Sequence, residues 1–199
     1  MIDGLMKRHI DPLWEMLARP LAARMTANAI TVTGLAIVVA MSAGYLLHGS
    51  EFWFGLGLIF AFATDSLDGA VARLRGESSR FGGYLDAMAD RYQEMVVLVA
   101  LALQNGLWPQ AFLVLSGSFL TSYAKARTAV EMPINNTEWP DLMERQERII
   151  FLCGFLLLVD VLRGWLADPL AAGLWILATM CHATALQRFW RARGMLKAK

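Results

Sequence analysis

Residues 64–91 read TDSLDGAVARLRGESSRFGGYLDAMADR. The stretch sets four aspartates, Asp65, Asp68, Asp86 and Asp90, at the edges of long apolar segments. Its spacing is Asp-x-x-Asp-Gly-x-x-Ala-Arg, then eight residues, then Gly-x-x-x-Asp-x-x-x-Asp. Side chains three or four residues apart share a helix face. Asp65 and Asp68 therefore form one carboxylate pair, and Asp86 and Asp90 a second pair on the next helix. A carboxylate at membrane depth is expensive and by default marks a functional site. Four that converge repel one another unless cations bind between them.

The rest of the chain supplies the membrane. Of 199 residues, 57% are hydrophobic and 18% charged, against about 25% charged in soluble domains. The length suits one unit over 1–199, with a juxtamembrane helix at 1–25 and a bundle at 26–190. A net charge of +1 gives no bulk field for nucleic acid. Cys153 and Cys181 both lie in apolar segments and read as small hydrophobes, without a disulfide framework or a zinc site. The N-terminus does not read as a signal peptide, because Asp3, Asp11 and Glu15 interrupt it.

Residues 3–24 mix charge with apolar residues at helical spacing. Leu13, Trp14, Leu17 and Leu21 form one apolar face, with Lys7, Arg8, Arg19 and Arg24 outside it. That pattern predicts an amphipathic helix in the membrane interface. Six spans follow, each near the roughly 20 residues a bilayer core requires: Ala29–Leu47, Phe52–Ala72, Phe81–Leu103, Trp108–Ala126, Ile149–Leu166 and Pro169–Phe189. The fold class expected is all-α, an integral membrane bundle of six transmembrane helices. Phe52, Trp53, Trp108, Trp165 and Trp190 fall near span ends, as an aromatic belt requires. With the N-terminus inside, every Lys and Arg of the 18 except Arg163 is cytoplasmic. The positive-inside rule then puts both termini and the 73–80 turn in the cytoplasm, and the aspartates with them.

Oxygen donors without His or Cys favour Mg²⁺, Mn²⁺ or Ca²⁺. Four carboxylates suffice to bridge two such ions, and a two-metal site orients a phosphate substrate. Gly69, Ala72, Gly82 and Gly83 let helices approach closely, and equally let a ligand reach the backbone. Arg73 suits a phosphate clamp or an interfacial anchor. A second basic set comprises Lys125 and Arg127 in SYAKAR, Arg145 and Arg148 in ERQER, and Arg188. Cations beside a metal site suggest a second anionic group, the phosphate of an acceptor. Glu144 and Glu147 are expected to neutralise part of this set.

The pattern of Asp65, Asp68, Gly69, Ala72, Arg73, Gly82, Asp86 and Asp90 resembles, at every fixed position, the signature of the CDP-alcohol phosphotransferase family. Asn28 and Thr31 in NAIT resemble an Asn-x-x-Thr element near that family's first span. The resemblance implies that a CDP-linked lipid, usually CDP-diacylglycerol, donates its phosphatidyl group to an alcohol and CMP leaves. It implies that Asp65, Asp68, Asp86 and Asp90 hold Mg²⁺ or Mn²⁺, two ions per site, and that Asp90 is the base. Asn28, Thr31, Asp68, Gly69, Ala72, Arg73 and Gly82 would then bind the CDP-lipid. The second half looks most like the branch making phosphatidylinositol phosphate or its archaeal ether-lipid counterpart. There Lys125, Arg127, Arg145, Arg148 and Arg188 would hold inositol phosphate, with glycerol 3-phosphate the runner-up acceptor. A homodimer in the cell (inner) membrane is also implied. Ser42, Ala43, Gly44 and Gly117 suit either dimer contacts or internal packing.

Two other classes use intramembrane aspartates. Prenyltransferases carry them on loops and lack the Gly/Ala/Arg spacing. An ion-coupled transporter needs polar residues through the whole depth and often an inverted repeat. Here the acidic set lies on one side and the outer halves read as almost purely apolar.

Overall fold

The computed structural model describes residues 14–134 and 141–197, apart from the side chains of Asp65 and Ser66. The expectations for Lys7, Arg8 and Leu13 therefore lie outside the described residues. Among the described residues every regular element is a helix. Helix α1 covers residues 14–22. It is followed by α2 (Ala27–His48), α3 (Glu51–Arg75), α4 (Arg80–Asn105), α5 (Trp108–Glu131), α6 (Arg145–Leu162) and α7 (Pro169–Lys197). Of these, α2, α3 and α7 are long and apolar enough to cross a membrane, by length and composition.

The ends of the helices follow local chemistry. Thr26 opens α2, its hydroxyl accepting from the Ala29 N–H at 3.3 Å, and Ser79 opens α4 by accepting from the Gly82 N–H at 3.0 Å. Such a cap satisfies one of the N–H groups a helix start leaves unpaired. Gly76 ends α3 at φ 64°, where a side chain would be strained. The turn from Gly76 to Ser79 is thus short, and it brings the end of α3 and the start of α4 together beside α2. Helix α6 starts four residues earlier than the sequence pattern suggests and stops at Leu162. Trp165 and Leu166 fall after it, because the Gly164 and Trp165 N–H groups bond carbonyls three residues back, Val161 and Leu162, and the helix tightens into a turn.

The helices close a ring. Helix α2 packs on α3, α3 on α6, α6 on α7, α7 on α5, α5 on α4, and α4 back on α2. Leu58, Leu101, Leu156, Leu174 and Leu177 fill its centre and are fully buried. Large apolar residues such as Phe60, Phe112, Leu158 and Ile176 face outward, as a lipid environment allows. A small separate core forms where α1 docks on α2 and α3, around Ala18, Ile30, Ala70 and Val71. The stripe of α1 that packs is Trp14, Ala18 and Leu21. Leu17, read as part of the same apolar face as Trp14 and Leu21, is exposed. Ala18 at the centre of the stripe lets α1 approach closely, and that sets the rotation of the helix.

One feature departs from the sequence reading, and another decides between two alternatives it left open. The end of the bundle away from the aspartates is not purely apolar, for Glu51 is buried there. It sits 3.1 Å from Arg163 Nη2 and accepts from the Tyr45 hydroxyl at 3.4 Å. Asn105 in turn donates to the Tyr45 oxygen at 2.7 Å. A buried carboxylate persists only when paired, which accounts for Arg163 beside it. Gly117, open between dimer and internal contacts, is internal. A Cβ there would stand 2.8 Å from the Cys181 Cβ and 3.1 Å from the His182 backbone nitrogen. Gly117→Val is expected to prise α5 from α7 and to lower stability by about 1–3 kcal/mol. Thermal unfolding in detergent reads this as a lowered midpoint, and an unchanged midpoint would show that the α5–α7 seam yields.

Candidate active site

Two cavities lie at the end of the ring where α3 gives way to α4. The first, about 270 Å³, is walled by the start of α2, the end of α3 and the start of α4. Asn28, Thr31, Asp68, Gly69, Ala72, Arg73, Gly82 and Asp86 all line it. Every donor-binding residue expected from the sequence is therefore gathered at one place. Thr31 Oγ1 donates to Asp68 Oδ2 at 2.6 Å, which fixes the rotamer of a buried carboxylate. The glycines leave real space. A Cβ on Gly83 would meet nothing within 4 Å, and one on Gly69 only Arg73 Nη1 at 3.6 Å. Gly82 is tighter, its Cβ position lying 3.2 Å from Ser79 Oγ and 3.4 Å from Asn28 Oδ1. On the rim Arg75 reaches Glu77 at 2.7 Å, and this hydrogen bond holds the Glu77 carboxyl below its usual pKa.

The second cavity, about 300 Å³, is polar and bounded by α4, α5, α6 and α7. Asp90, Arg91, Arg145, Arg148 and Arg188 converge on it, with Thr121, Ser122 and Glu144. Asp86 belongs to the first cavity and Asp90, one turn on, to the second. One face of α4 thus joins them. The spacing of the aspartates made this legible, because residues four apart stack on a helix face.

The arginines differ in how they are held. Arg148 is buried and gives Nε and Nη2 to Glu94 Oε1 at 3.2 and 2.7 Å, and Nη1 to the Met143 carbonyl at 3.1 Å. Arg188, also buried, gives Nε and Nη2 to Asp141 Oδ2 at 2.8 and 2.5 Å, and Nη1 to the Thr121 carbonyl at 2.6 Å. Arg191 joins Asp141 at 2.8 Å. Arg145 instead points its Nη2 at Asp90 Oδ1, 2.7 Å away, and at Gln93 Oε1, 2.6 Å away. Arg91 donates to Ser122 at 2.7 Å, lies 3.1 Å from Glu94 and stands 3.7 Å from Asp90.

Lys125 and Arg127 do not line this cavity. Arg127 turns outward to pair with Glu131 one helical turn on. Lys125 is half-buried one turn beyond Thr121 on α5. The sequence grouped them with the arginines by proximity to the span end; helix phase separates them. Sequence reasoning missed Arg91, Gln93, Glu94 and Asp141. Glu94 carried a readable signal, being four residues after Asp90 on the same helix. Asp141 had none, since its partners are far along the chain.

The donor set fits a hard divalent cation. Asp68 and Asp86 bring carboxylate oxygens from adjoining helix ends into one cavity, a hydroxyl orients the first, and no thiol or imidazole lines it. Among the described residues no three carboxylate, imidazole or thiol groups already cluster as a ligand set, and the Asp65 side chain lies outside them.

Comparison with known proteins agrees with this geometry. Residues 24–184 match the family model described as CDP-alcohol phosphatidyltransferase. The chain is 31% identical over 200 residues to an archaetidylinositol phosphate synthase of Pyrococcus horikoshii, covering 99% of both chains. It is 31% identical over 205 residues to a phosphatidylinositol phosphate synthase of Mycobacteroides abscessus, covering 96% of this chain and 89% of that one. Among solved structures it is similar to the phosphatidylinositol phosphate synthase of Mycobacterium tuberculosis with CDP-DAG bound. The TM-score is 0.77 at 28% identity, over 91% of this chain and 94% of that one. The same enzyme in complex with manganese and citrate also gives 0.77 at 28% identity, over 90% and 88%.

Proposed function

The chain belongs to the CDP-alcohol phosphatidyltransferase family, and from that membership we propose that it moves a phosphatidyl group from CDP-diacylglycerol, or an ether-lipid equivalent, to inositol phosphate, releasing CMP. The observation that carries this reading is the pairing of cavities. A carboxylate-lined pocket with bare glycine walls opens beside an arginine-lined one, and Asp86 and Asp90 join them.

The residues divide the work. Asn28, Thr31, Gly69, Ala72, Arg73 and Gly82 receive the cytidine diphosphate, Arg73 meeting a phosphate through its fork. Asp65, Asp68, Asp86 and Asp90 hold Mg²⁺ or Mn²⁺, two ions in this reading. When bound, such ions offset charge on the diphosphate and on departing CMP. Asp90 takes the proton of the acceptor hydroxyl, since an alcohol is a poor nucleophile at neutral pH unless a positioned base removes it. The oxygen then attacks the phosphorus that carries the lipid, and the bond to the CMP oxygen breaks. Arg91, Arg145, Arg148 and Arg188 give the second cavity the charge to hold the acceptor's own phosphate. Of Arg145 and Arg148, Arg145 is the one aimed at the reacting end.

We further propose that all six helices from α2 to α7 span the bilayer, that α1 lies in its interface, and that residues 1–199 work as one unit and pair as a homodimer. The termini and both cavities would face the cytoplasm, where a nucleotide-linked substrate and a phosphorylated alcohol are supplied.

The direct test is CMP release by purified protein given CDP-diacylglycerol and Mg²⁺, with inositol 1-phosphate, glycerol 3-phosphate, inositol and serine each offered as acceptor. Product lipid is expected with inositol 1-phosphate. No CMP with any acceptor would defeat the transferase reading, and product with another alcohol alone would replace the acceptor. Gly69→Leu is expected to fill the first cavity and cut CMP release by at least about tenfold, one missing increment of about 1.4 kcal/mol in binding. Its unfolding midpoint should stay near the parent's, because the added Cβ meets no backbone. Undiminished CMP release would place the nucleotide elsewhere.

A further inference from the structure

We propose that Arg145 is an internal stand-in for the divalent cation at Asp90, and that it passes to the acceptor's phosphate when the cation binds. The inference rests on the roles given above to Asp90 and the arginine cavity. It adds that the two substrate sites are coupled, and that one side chain couples them.

Three observations lead here. Arg145 Nη2 lies 2.7 Å from Asp90 Oδ1 and 2.6 Å from Gln93 Oε1. A carboxylate oxygen in ion-pair contact with a guanidinium nitrogen is screened from an approaching hydroxyl. It also cannot accept a second cation at that oxygen without strong repulsion between like charges. Arg145 must therefore move before Asp90 does either task. Second, Arg145 has somewhere to go. It lines the 300 Å³ cavity with Arg91, Arg148 and Arg188, so the charge has polar space beside it, and the anion-binding ground of the other cations. Third, its neighbours are not equivalent to it. Each side-chain nitrogen of Arg148 and of Arg188 is bound to a carboxylate or a backbone carbonyl of the fold. Moving either would unpair Glu94 or Asp141 inside the bundle. Arg145 is the first residue of α6, so its side chain can swing without disturbing the helix.

The consequence is thermodynamic. Whatever displaces Arg145 from Asp90 readies it for a phosphate, and a phosphate that holds Arg145 vacates Asp90 for a cation. Such coupling is reciprocal and is commonly worth about 5- to 150-fold in affinity.

The test uses the full chain in detergent, with Mn²⁺ binding followed by the loss of its free electron paramagnetic resonance signal. Without any acceptor, Arg145→Met is expected to bind Mn²⁺ about tenfold more tightly than the parent, within the range such couplings span. Arg145→Lys, which keeps the charge and loses the fork, should fall between them and serves if the first variant folds poorly. Unchanged or weaker Mn²⁺ binding in both variants overturns the stand-in role. In a second arm, Mn²⁺ should tighten inositol 1-phosphate or glycerol 3-phosphate binding to the parent and not to Arg145→Met. Coupling that is absent from the parent, or intact in the variant, overturns the transfer to phosphate. If neither alcohol phosphate binds at any Mn²⁺ concentration, the acceptor assignment and the transfer fall together, while the Mn²⁺ arm still decides the stand-in role.

Discussion

Asp90→Asn is expected to lower the rate of CMP release by about 10²- to 10⁴-fold, the usual value of one positioned general base. The amide keeps the shape of the carboxylate and can still occupy the face of α4 between the two cavities. It cannot take a proton from the acceptor hydroxyl. The first cavity, built by α2, the end of α3 and the start of α4, does not include Asp90. Binding of CDP-diacylglycerol should therefore stay within a few fold of the parent's. Single-turnover CMP release and equilibrium binding of the lipid, measured on the same preparation, separate the two effects. Retained turnover would remove Asp90 as the base, and parallel loss of lipid binding would make it part of the donor pocket instead.

Glu94→Leu is expected to cost about 3–5 kcal/mol of stability, the usual result of removing one partner from a buried pair. Glu94 accepts from Arg148 through two nitrogens and from the Ser118 hydroxyl at 2.5 Å, and it stands 3.1 Å from Arg91. Its loss leaves the Arg148 guanidinium charged inside the bundle with only the Met143 carbonyl. The double variant Glu94→Leu/Arg148→Met should regain most of the loss, since an apolar pair of similar volume replaces a buried ion pair at little or no cost. It should nonetheless be impaired with a phosphorylated acceptor, having lost a cation from the second cavity. Unfolding midpoints for both variants decide the matter. A single variant as stable as the parent would show that the pair is solvated and contributes little.

The aspartate pattern was legible because its geometry is local. Spacing within one helix fixes which side chains share a face, so Asp86 and Asp90 could be placed together without knowing the fold. The glycines, Ala72 and Arg73 belong to the same short stretch, and the turn joining its helices is too tight to leave much choice. The basic set was harder. Arg148 and Arg188 are assigned by pairings with Glu94 and Asp141, which lie 54 and 47 residues away in the chain. Charge near a span end says that a residue is cytoplasmic, and does not say which way its helix is turned. That is why Arg127 was grouped with the pocket and Arg91 was left as a topological charge. The cluster around Glu51, at the far end of the bundle, escaped for the same reason. A single acid at a helix start reads as an interfacial residue until Tyr45 and Arg163 are seen beside it.

The order of the ring, α2–α3–α6–α7–α5–α4, divides the labour of the enzyme between two stretches of chain. The first cavity draws on the first three helices of the ring-forming set by sequence, α2 to α4, and the second on the last four, α4 to α7. Only α4 serves both. Inheritance can therefore alter the two halves at different rates. Substitutions in α5, α6 and α7 reach the second cavity and leave the lining of the first untouched.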